Sequence, residues 1–253
     1  MHFLRAFFRR AVATALVLVG ALASAAQSPA VAGSAAPPAR RVLFLGNSLT
    51  AANDLPALVQ AMARAQGLAF DYRAVTHRNY AIEDHWTDGT ARLLTAGEKW
   101  DVLVLQQGPS SRPESRAHLL QWSQTWADAA RRDGTTTALY MVWPMQGQPD
   151  GFALVARSYR EAATGSRARL FPAGEAWAAV LAASDAPTLY SSDGLHPTPA
   201  GTFLAAMVVA RGLTGLDPAH VPARLTLASG EIVSLPESTV AAFRTVVARL
   251  RFD

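Results

Sequence analysis

The sequence has no cysteine and few charged residues, and both absences restrict what the protein can do. None of its 253 residues is Cys, which excludes disulfides, Cys-ligated zinc, iron–sulfur clusters, a catalytic thiol and a lipidated cysteine. Charged residues make up 17% of the chain and are dispersed, so the basic stripe that a nucleic-acid groove requires is missing. No spacing of His, Asp or Glu indicates a metal site, and no glycine-rich phosphate loop follows a predicted strand. We therefore expect no nucleic-acid partner, no metal and no cofactor.

The hydrophobic pattern predicts one α/β domain. The chain is 50% hydrophobic, with 17 Gly and 15 Pro, as is typical of a globular protein. Short apolar runs alternate with amphipathic segments, which predicts a parallel sheet covered by helices on both faces. Ligands in such sheets bind beyond the carboxyl ends of the strands. The predicted strands are 41–46, 68–75, 100–105, 136–143 and 168–171, and the main predicted helices are 53–66, 113–132, 152–163, 175–183 and 199–212.

The first 25 residues have the order of a secretory signal. Residues 1–10 contain three Arg and no acid, residues 11–22 are apolar, and Ala23-Ser24-Ala25 supplies the small residues before a cleavage site. We predict a signal peptide at 1–25, a flexible leader at 26–40, and a secreted or periplasmic protein. The alternative is an uncleaved segment that serves as a membrane anchor, the one membrane contact we expect. Cleavage would remove these three Arg from the 23 Lys and Arg, so the mature protein would have 20 basic against 19 acidic side chains and a formal net charge of +1.

The segment Gly46-Asn47-Ser48-Leu49-Thr50 follows the first predicted strand. A Ser in a tight strand-to-helix turn is exposed at the edge of the sheet, and its N–H lies where negative charge is stabilised. Those are the requirements of a nucleophile that also helps to hold an oxyanion. The alternative is that Ser48 and Thr50 only cap the next helix.

The segment Asp193-Gly194-Leu195-His196-Pro197 precedes the last predicted helix of the domain. An unperturbed imidazole exchanges protons near neutral pH. A carboxylate three residues earlier can reach its Nδ1–H and fix the tautomer, which leaves Nε2 free to act as a base. Gly194 permits a sharp turn, and Pro197 keeps residue 196 out of the helical region. The alternative is a solvated loop histidine.

Taken together, LFLGNSLT near the start and DGLHP near the end resemble the SGNH (GDSL-type) hydrolase superfamily, in particular a bacterial secreted branch. The likeness covers about residues 41–216. It implies a three-layer α/β/α sandwich with a five-stranded, mainly parallel central sheet, the flavodoxin-like SGNH fold. It also implies serine-ester hydrolysis, with Ser48 as nucleophile, His196 as general base and then acid, and Asp193 as the residue that orients the imidazole.

In this superfamily the oxyanion hole combines the nucleophile's N–H with donors from two further sequence blocks. The second block usually has a Gly. Counting back from the apolar Ile82 places Asn79 there, and Asn tolerates a positive φ better than most residues. The third block usually has an Asn, and here the chain has Gln106-Gln107-Gly108-Pro109-Ser110. Relatives similar to sialate acetylesterases carry Gln-Gly at this place, so we favour Gln107, with Gln106 next and Ser110 as a third candidate.

Other conspicuous residues have structural interpretations. Glu83 to Trp86 are interpreted as helix-start packing, with a rim position as the alternative, and His118 as a solvated residue in the middle of a helix. Trp122 and Trp126 have the spacing of a core face. For Trp143 core packing and a pocket wall stay equally open.

The C-terminal residues depart from the α/β pattern. LTLASGEIVSLP alternates around Ser229-Gly230 like a hairpin, and Ser234-x-x-Glu237 resembles a capping box that opens a final helix. We predict a hydrolase domain at 41–216 and a C-terminal extension at 217–253 that packs on it.

The sequence therefore predicts a secreted serine esterase that acts on a small-molecule or glycan ester through an acyl-enzyme. Its substrate is predicted to be a short-chain acyl or lipid ester, or an acetyl group on a glycan. The alternative is a non-catalytic ligand-binding module that kept the fold, which the replaced oxyanion residues favour. The oligomeric state is not determined by these patterns.

Overall fold

Five short strands form the central sheet in the structure, a computed structural model that describes residues 40–148 and 150–252. All four neighbouring pairs are parallel, in the order β2-β1-β3-β4-β5. Strand β3 is buried along its whole length because helices cover both faces of the sheet. The α/β fold class with five parallel strands is confirmed. The strands are β1 (Arg40–Gly46), β2 (Phe70–Thr76), β3 (Val102–Leu105), β4 (Thr136–Tyr140) and β5 (Arg169–Phe171).

Helices form the two outer layers. Right-handed crossovers put α2 on one face of the sheet and α5 and α6 on the other, because the strand order reverses at β1. α8 packs on α2, and α5 packs on α6. Among the described residues, no helix combines the length and the apolar character needed to cross a bilayer. The helices of the domain are α1 (Ser48–Ala51), α2 (Leu55–Arg64), α3 (Ile82–Asp88), α4 (Thr90–Gly97), α5 (Pro113–Arg132), α6 (Gly151–Ser166), α7 (Ala173–Leu181) and α8 (Pro199–Thr214).

The predicted fourth strand is too long. It was expected to run to Trp143, but β4 ends at Tyr140. Its neighbour β5 has only three residues, and the bond from the Met141 N–H to the Phe171 carbonyl is the last one between them. Pro172 follows and has no N–H to continue the ladder. Trp143 is therefore buried outside the sheet, where its ring stacks on Trp177 with 3.5 Å between ring centroids.

The C-terminal residues form an antiparallel hairpin, β6 (Arg224–Thr226) and β7 (Ile232–Ser234), and a last helix, α9 (Glu237–Arg249). The predicted capping box is wrong. Ser234 pairs with Arg224 in the hairpin, and Pro236 precedes the first turn of α9. A β-strand residue cannot also cap the helix. α9 contacts α7 and the 3₁₀ turn Pro218–His220.

The N-terminal predictions lie outside the described residues, with one exception. The signal peptide at 1–25 and the leader up to residue 39 stay predictions. Arg40, which was assigned to the leader, is the first residue of β1 and pairs in register with Phe70.

Candidate active site

Three neighbouring strands end at the same edge of the sheet, and each is followed by a candidate site residue. Ser48 follows β1, Asn79 follows β2, and Gln107 follows β3. Because β1 lies between β2 and β3, the three turns are adjacent at the carboxyl edge. The strand order reverses at β1, and such switch points open crevices in parallel sheets.

The Ser48 turn is held by its neighbours rather than by its own hydroxyl. Asn47 is the residue that caps α1, since its side-chain oxygen accepts a hydrogen bond from the Leu49 N–H at 3.0 Å. The Thr50 hydroxyl donates to the Gln106 side chain instead. The alternative that Ser48 and Thr50 serve as helix caps is therefore wrong, and the Ser48 hydroxyl is available for other contacts.

Ser48, His196 and Asp193 form a continuous hydrogen-bonded chain. The Ser48 Oγ lies 2.8 Å from His196 Nε2, although the two residues are 148 positions apart. His196 Nδ1 lies 2.5 Å from Asp193 Oδ2. The Nδ1–H donates to the carboxylate, so Nε2 carries the lone pair that faces the hydroxyl. This is the order of groups in a serine hydrolase triad.

The Asp193 carboxylate is held in its ionised form by several donors. Its Oδ1 accepts hydrogen bonds from the N–H groups of Leu195 and His196 and from the Ser191 hydroxyl, each at 2.9 Å. The Leu195 N–H, the His196 ring and the His196 N–H hold the pKa of Asp193 far below its usual range. The carboxylate orients the imidazole while remaining charged.

The His196 loop is closed and braced by backbone contacts. The Ser191 N–H donates to the His196 carbonyl at 2.8 Å, and Gly194 adopts a φ of +71° at the tip of the loop. From the neighbouring segment, Trp143 Nε1 donates to the Leu195 carbonyl at 2.9 Å. The Gln146 N–H donates to the Gly194 carbonyl at 2.8 Å. Trp143, whose position the sequence left open, is therefore a core residue that supports this loop.

Asn79 and Gln107 border the same cavity as Ser48 and His196. Asn79 has a φ of +64°, which is the left-handed conformation that glycine adopts most easily. Gln107 Nε2 donates to the Ser110 Oγ at 2.9 Å, and the second hydrogen on that nitrogen can serve another acceptor. Ser110 also borders the cavity, whereas Gln106 is not among its lining residues.

The cavity has a volume of about 650 Å³ and contains both apolar and polar walls. Ser115 and His118 lie three positions apart on one face of α5, and Ser111 lies just before that helix begins at Pro113. His118 is not simply solvated, because its Nε2 pairs with the Glu83 carboxylate and its side chain is only 30% exposed. Other lining residues include Leu49, Tyr80, Met145 and Leu195.

The segment from Glu83 to Trp86 mixes helix-start and site-supporting contacts. Asp84 accepts a hydrogen bond from the Ala81 N–H at 2.7 Å, which is a helix-start contact. Trp86 packs against Trp122 and Trp126. His85 is 2% exposed, and its Nε2 lies 2.9 Å from the Gly46 carbonyl, directly before the Ser48 turn. Burial lowers the pKa of His85, so the ring is a neutral donor to that carbonyl.

Among residues 40–148 and 150–252, no group of three or more His, Cys, Asp or Glu side chains could hold a metal ion. The Ser48 hydroxyl and the Asn79 and Gln107 amides follow the three strand ends, and the loop before α8 brings the Asp193–His196 pair to Ser48. The chemistry that this arrangement supports is nucleophilic attack by Ser48 with proton transfer through His196.

The chain matches no protein-family model and no sequence among the curated proteins. Solved structures do match. A protein from Slackia heliotrinireducens assigned to the SGNH hydrolases is 29% identical, with a TM-score of 0.59 over 69% of this chain and 98% of its own. The chain belongs to the SGNH hydrolase superfamily.

Two more distant structures show the same SGNH fold. A DUF4886 family protein from Bacteroides uniformis ATCC 8492 is 17% identical, with a TM-score of 0.65 over 83% of this chain and 94% of its own. An acetyl xylan esterase, AlAXEase, is 13% identical, with a TM-score of 0.55 over 67% of this chain and 97% of its own. The finer likeness to sialate acetylesterases stays a prediction.

Three residues support the site of this SGNH hydrolase in ways that the sequence did not predict. His85, which the sequence placed at a helix start or the rim, contacts the carbonyl before the nucleophile turn, and Gln106, the second oxyanion candidate, bridges two turns. Tyr159 was missed altogether, and its hydroxyl donates to the Gln107 carbonyl at 2.7 Å. No local pattern could have revealed Tyr159, because it lies in the middle of an ordinary amphipathic helix.

Proposed function

We propose that this SGNH hydrolase is a serine esterase that cleaves a carboxylic ester through an acyl-enzyme on Ser48. The proposal rests on the hydrogen bonds that link Ser48, His196 and Asp193. The Ser48 Oγ lies 2.8 Å from His196 Nε2, and His196 Nδ1 lies 2.5 Å from Asp193 Oδ2. The Ser48–His196 distance is within the range needed for proton transfer, and the Asp193 contact orients the imidazole without taking its proton.

In the first half-reaction the Ser48 Oγ attacks the ester carbonyl while His196 Nε2 takes its proton. The C–O bond to the alcohol then breaks as His196 returns that proton to the leaving oxygen. In the second half-reaction water attacks the acyl-enzyme, His196 takes the proton of the water, and the Ser48 oxygen leaves with it. Asp193 stays ionised and stabilises the imidazolium in both halves.

The developing oxyanion would be held by the N–H groups of Ser48 and Asn79 together with the side-chain amide of Gln107. Support comes from the common cavity that the three residues border and from the left-handed backbone of Asn79, where the superfamily usually has glycine. Each such donor contributes about 2.7–4 kcal/mol of transition-state stabilisation.

The substrate that we favour carries a short acyl group, such as acetyl, on a polar alcohol of the carbohydrate type. Ser115 and His118 of α5, together with Ser111 just before that helix, are polar residues that line the cavity. Such groups exchange hydrogen bonds with sugar hydroxyls better than with alkyl chains. One structural neighbour is itself an acetyl xylan esterase.

The direct test measures hydrolysis of p-nitrophenyl acetate by the chain from residue 26 onward, with Ser48→Ala as the control. We expect turnover in the native protein and none above background in the variant, with a covalent acetyl adduct on Ser48 detectable by mass spectrometry after a rapid quench. Equal rates in both proteins would instead favour the alternative function, a ligand-binding module. The changed oxyanion residues are the observation that favours that alternative.

We also propose that the protein is secreted or periplasmic, on the pattern of residues 1–25 alone. Expression of the full chain in a bacterium, followed by N-terminal sequencing of the exported protein, tests this. An unprocessed N-terminus in the membrane fraction would support the anchor alternative.

A further inference from the structure

Gln106 is a buried amide whose two ends contact two different turns of the active site. Its side chain is not part of the cavity wall, and the residue is 1% exposed. Its Oε1 accepts hydrogen bonds from the Asn47 N–H at 2.9 Å and from the Thr50 hydroxyl at 2.7 Å. Its Nε2 donates to the Gln107 carbonyl at 2.6 Å. One planar group therefore joins the turn that carries Ser48 to the turn that carries Gln107.

We propose that Gln106 is a positioning residue that sets the distance between the Ser48 N–H and the Gln107 side chain, and so shapes the oxyanion hole. The inference rests on the proposed esterase function. An amide side chain is rigid beyond Cγ, so fixing both of its ends fixes the separation of the groups that they contact. An error of about 1 Å in such a separation can cost about 100-fold in rate.

Two features beside Gln106 fit this assignment. A Cβ on Gly46 would lie 2.6 Å from Gln106 Oε1 and 2.3 Å from the Thr50 Oγ1, so only glycine at the end of β1 leaves room for the bridge. On the other side, the Gln107 carbonyl accepts a second hydrogen bond, at 2.7 Å, from the fully buried Tyr159 hydroxyl. Burial raises the pKa of Tyr159, so it remains a donor over the working pH range.

The plain alternative is that Gln106 only satisfies buried polar groups and stabilises the fold. The chain offers a matched residue for that comparison. Gln60 is a second buried glutamine, 6% exposed, whose Nε2 donates to the Phe70 carbonyl at 2.8 Å. Phe70 is the first residue of β2, at the edge of the sheet opposite the active site. The same substitution at Gln60 creates the same kind of defect without contacting the Ser48 turn.

The experiment compares Gln106→Glu with Gln60→Glu in p-nitrophenyl acetate hydrolysis. An introduced carboxylate still accepts from Asn47 and Thr50 but cannot donate to the Gln107 carbonyl. We expect Gln106→Glu to lower kcat by about 10- to 100-fold with KM nearly unchanged. Gln60→Glu should lower the midpoint of urea unfolding and leave kcat as in the native protein.

The pH dependence supplies a readout that a purely structural defect would not change. Burial and the facing carbonyl should raise the pKa of the introduced carboxyl, and its protonated form can again donate to Gln107. The kcat ratio of native protein to Gln106→Glu should therefore shrink as pH falls.

Tyr159→Phe, which removes the other donor to the Gln107 carbonyl, should lower kcat less than Gln106→Glu. Its effect should be smaller when it is added to Gln106→Glu than when it is made alone, because both changes act on one carbonyl.

Two failures are distinguishable. If native protein and Ser48→Ala hydrolyse the ester equally, the esterase function is refuted and the positioning proposal falls with it. If the native protein shows Ser48-dependent turnover while Gln106→Glu keeps its kcat, or loses it only in proportion to the folded fraction, the esterase function stands and Gln106 is merely structural.

Discussion

At the residue scale, the site depends on the Asp193 carboxylate, which stays ionised at neutral and mildly acidic pH. Asp193 has a folded pKa below its unfolded value near 3.9, so its contacts to the loop are present above about pH 4 and are lost only as pH falls through the folded pKa. Proton transfer at Ser48 therefore depends on the imidazole of His196 alone.

We predict that kcat/KM rises with pH through a single ionisation, because His196 Nε2 must be unprotonated to accept the proton of the Ser48 hydroxyl. The measurement is kcat/KM for p-nitrophenyl acetate from pH 4.5 to 8.5. A second acidic limb within that range would show that Asp193 titrates there and would contradict the role given to it.

Asp193→Asn, which presents the wrong hydrogen-bonding partner to Nδ1, should lower kcat by about 10⁴-fold.

The Gln107 side chain is the residue-scale test of the oxyanion hole. Gln107→Ala removes a donor that acts mainly on the transition state, so we expect kcat to fall by about 10²–10³-fold with little change in KM. Ser110→Ala is the control, since it removes the internal partner of Gln107 while leaving its amide in place. An unchanged kcat in Gln107→Ala, with a loss in Ser110→Ala, would move the donor assignment to Ser110.

At the scale of the element, α5 is both a layer of the fold and a wall of the site. Its apolar side buries Leu119 and Trp126, while Ser115 and His118 border the cavity. The helix is 20 residues long and is packed along α6, so the wall is rigid. A rigid polar wall beside a nucleophile selects among substrates by their hydroxyl groups.

We predict that His118→Leu lowers kcat/KM for an acetylated sugar by about tenfold and leaves that for p-nitrophenyl acetate nearly unchanged, because one lost polar contact is worth about 1–2 kcal/mol. The matched control is His220→Leu, since His220 also pairs with a carboxylate, that of Asp217, but does not border the cavity. If His118→Leu changes kcat/KM for both substrates by the same factor, α5 does not contribute to selection of the alcohol part of the substrate.

At the scale of the whole molecule, a buried histidine couples stability to pH. Burial lowers the folded pKa of His85 below the unfolded value near 6.5, so the unfolded chain binds the proton more readily. The free energy of unfolding therefore decreases as pH falls below about 6.5 and keeps decreasing until the folded pKa is reached.

We predict that His85→Phe reduces this slope between pH 5 and 6.5, measured by urea unfolding. At pH 8 the variant should be less stable by about 0.5–1.5 kcal/mol, because the hydrogen bond to the Gly46 carbonyl is lost. His77→Phe, which replaces the exposed ring beside His85, is the control and should change the slope less than His85→Phe, because burial lowers the pKa of His85 more than the charge of His77 does. An identical slope in native protein and His85→Phe would assign the pH dependence to other groups.

Most of the fold could be predicted from the sequence because its signals are local. The helix predicted at 113–132 has the observed bounds of α5, since Pro113 starts it and Gly134 follows its end. The sequence indicates only the start of α3, at Glu83 to Trp86, and does not predict α4, because segments of seven and eight residues carry too few turns for a clear apolar period. The end of the fourth strand at Tyr140 could not be predicted from its own sequence either, because it is set by the short length of its neighbour β5.

The sequence alone determined the parallel sheet, the edge at which the site lies, and the pairing of Asp193 with His196, because period, strand direction and a three-residue spacing are local properties. Only the tertiary structure decided that Ser48 meets His196 across 148 positions. It also decided that, of two adjacent glutamines of identical chemistry, Gln107 faces the cavity while Gln106 turns inward. The direction of a side chain that leaves a strand end is set by the groups packed around it, and those groups come from distant parts of the chain.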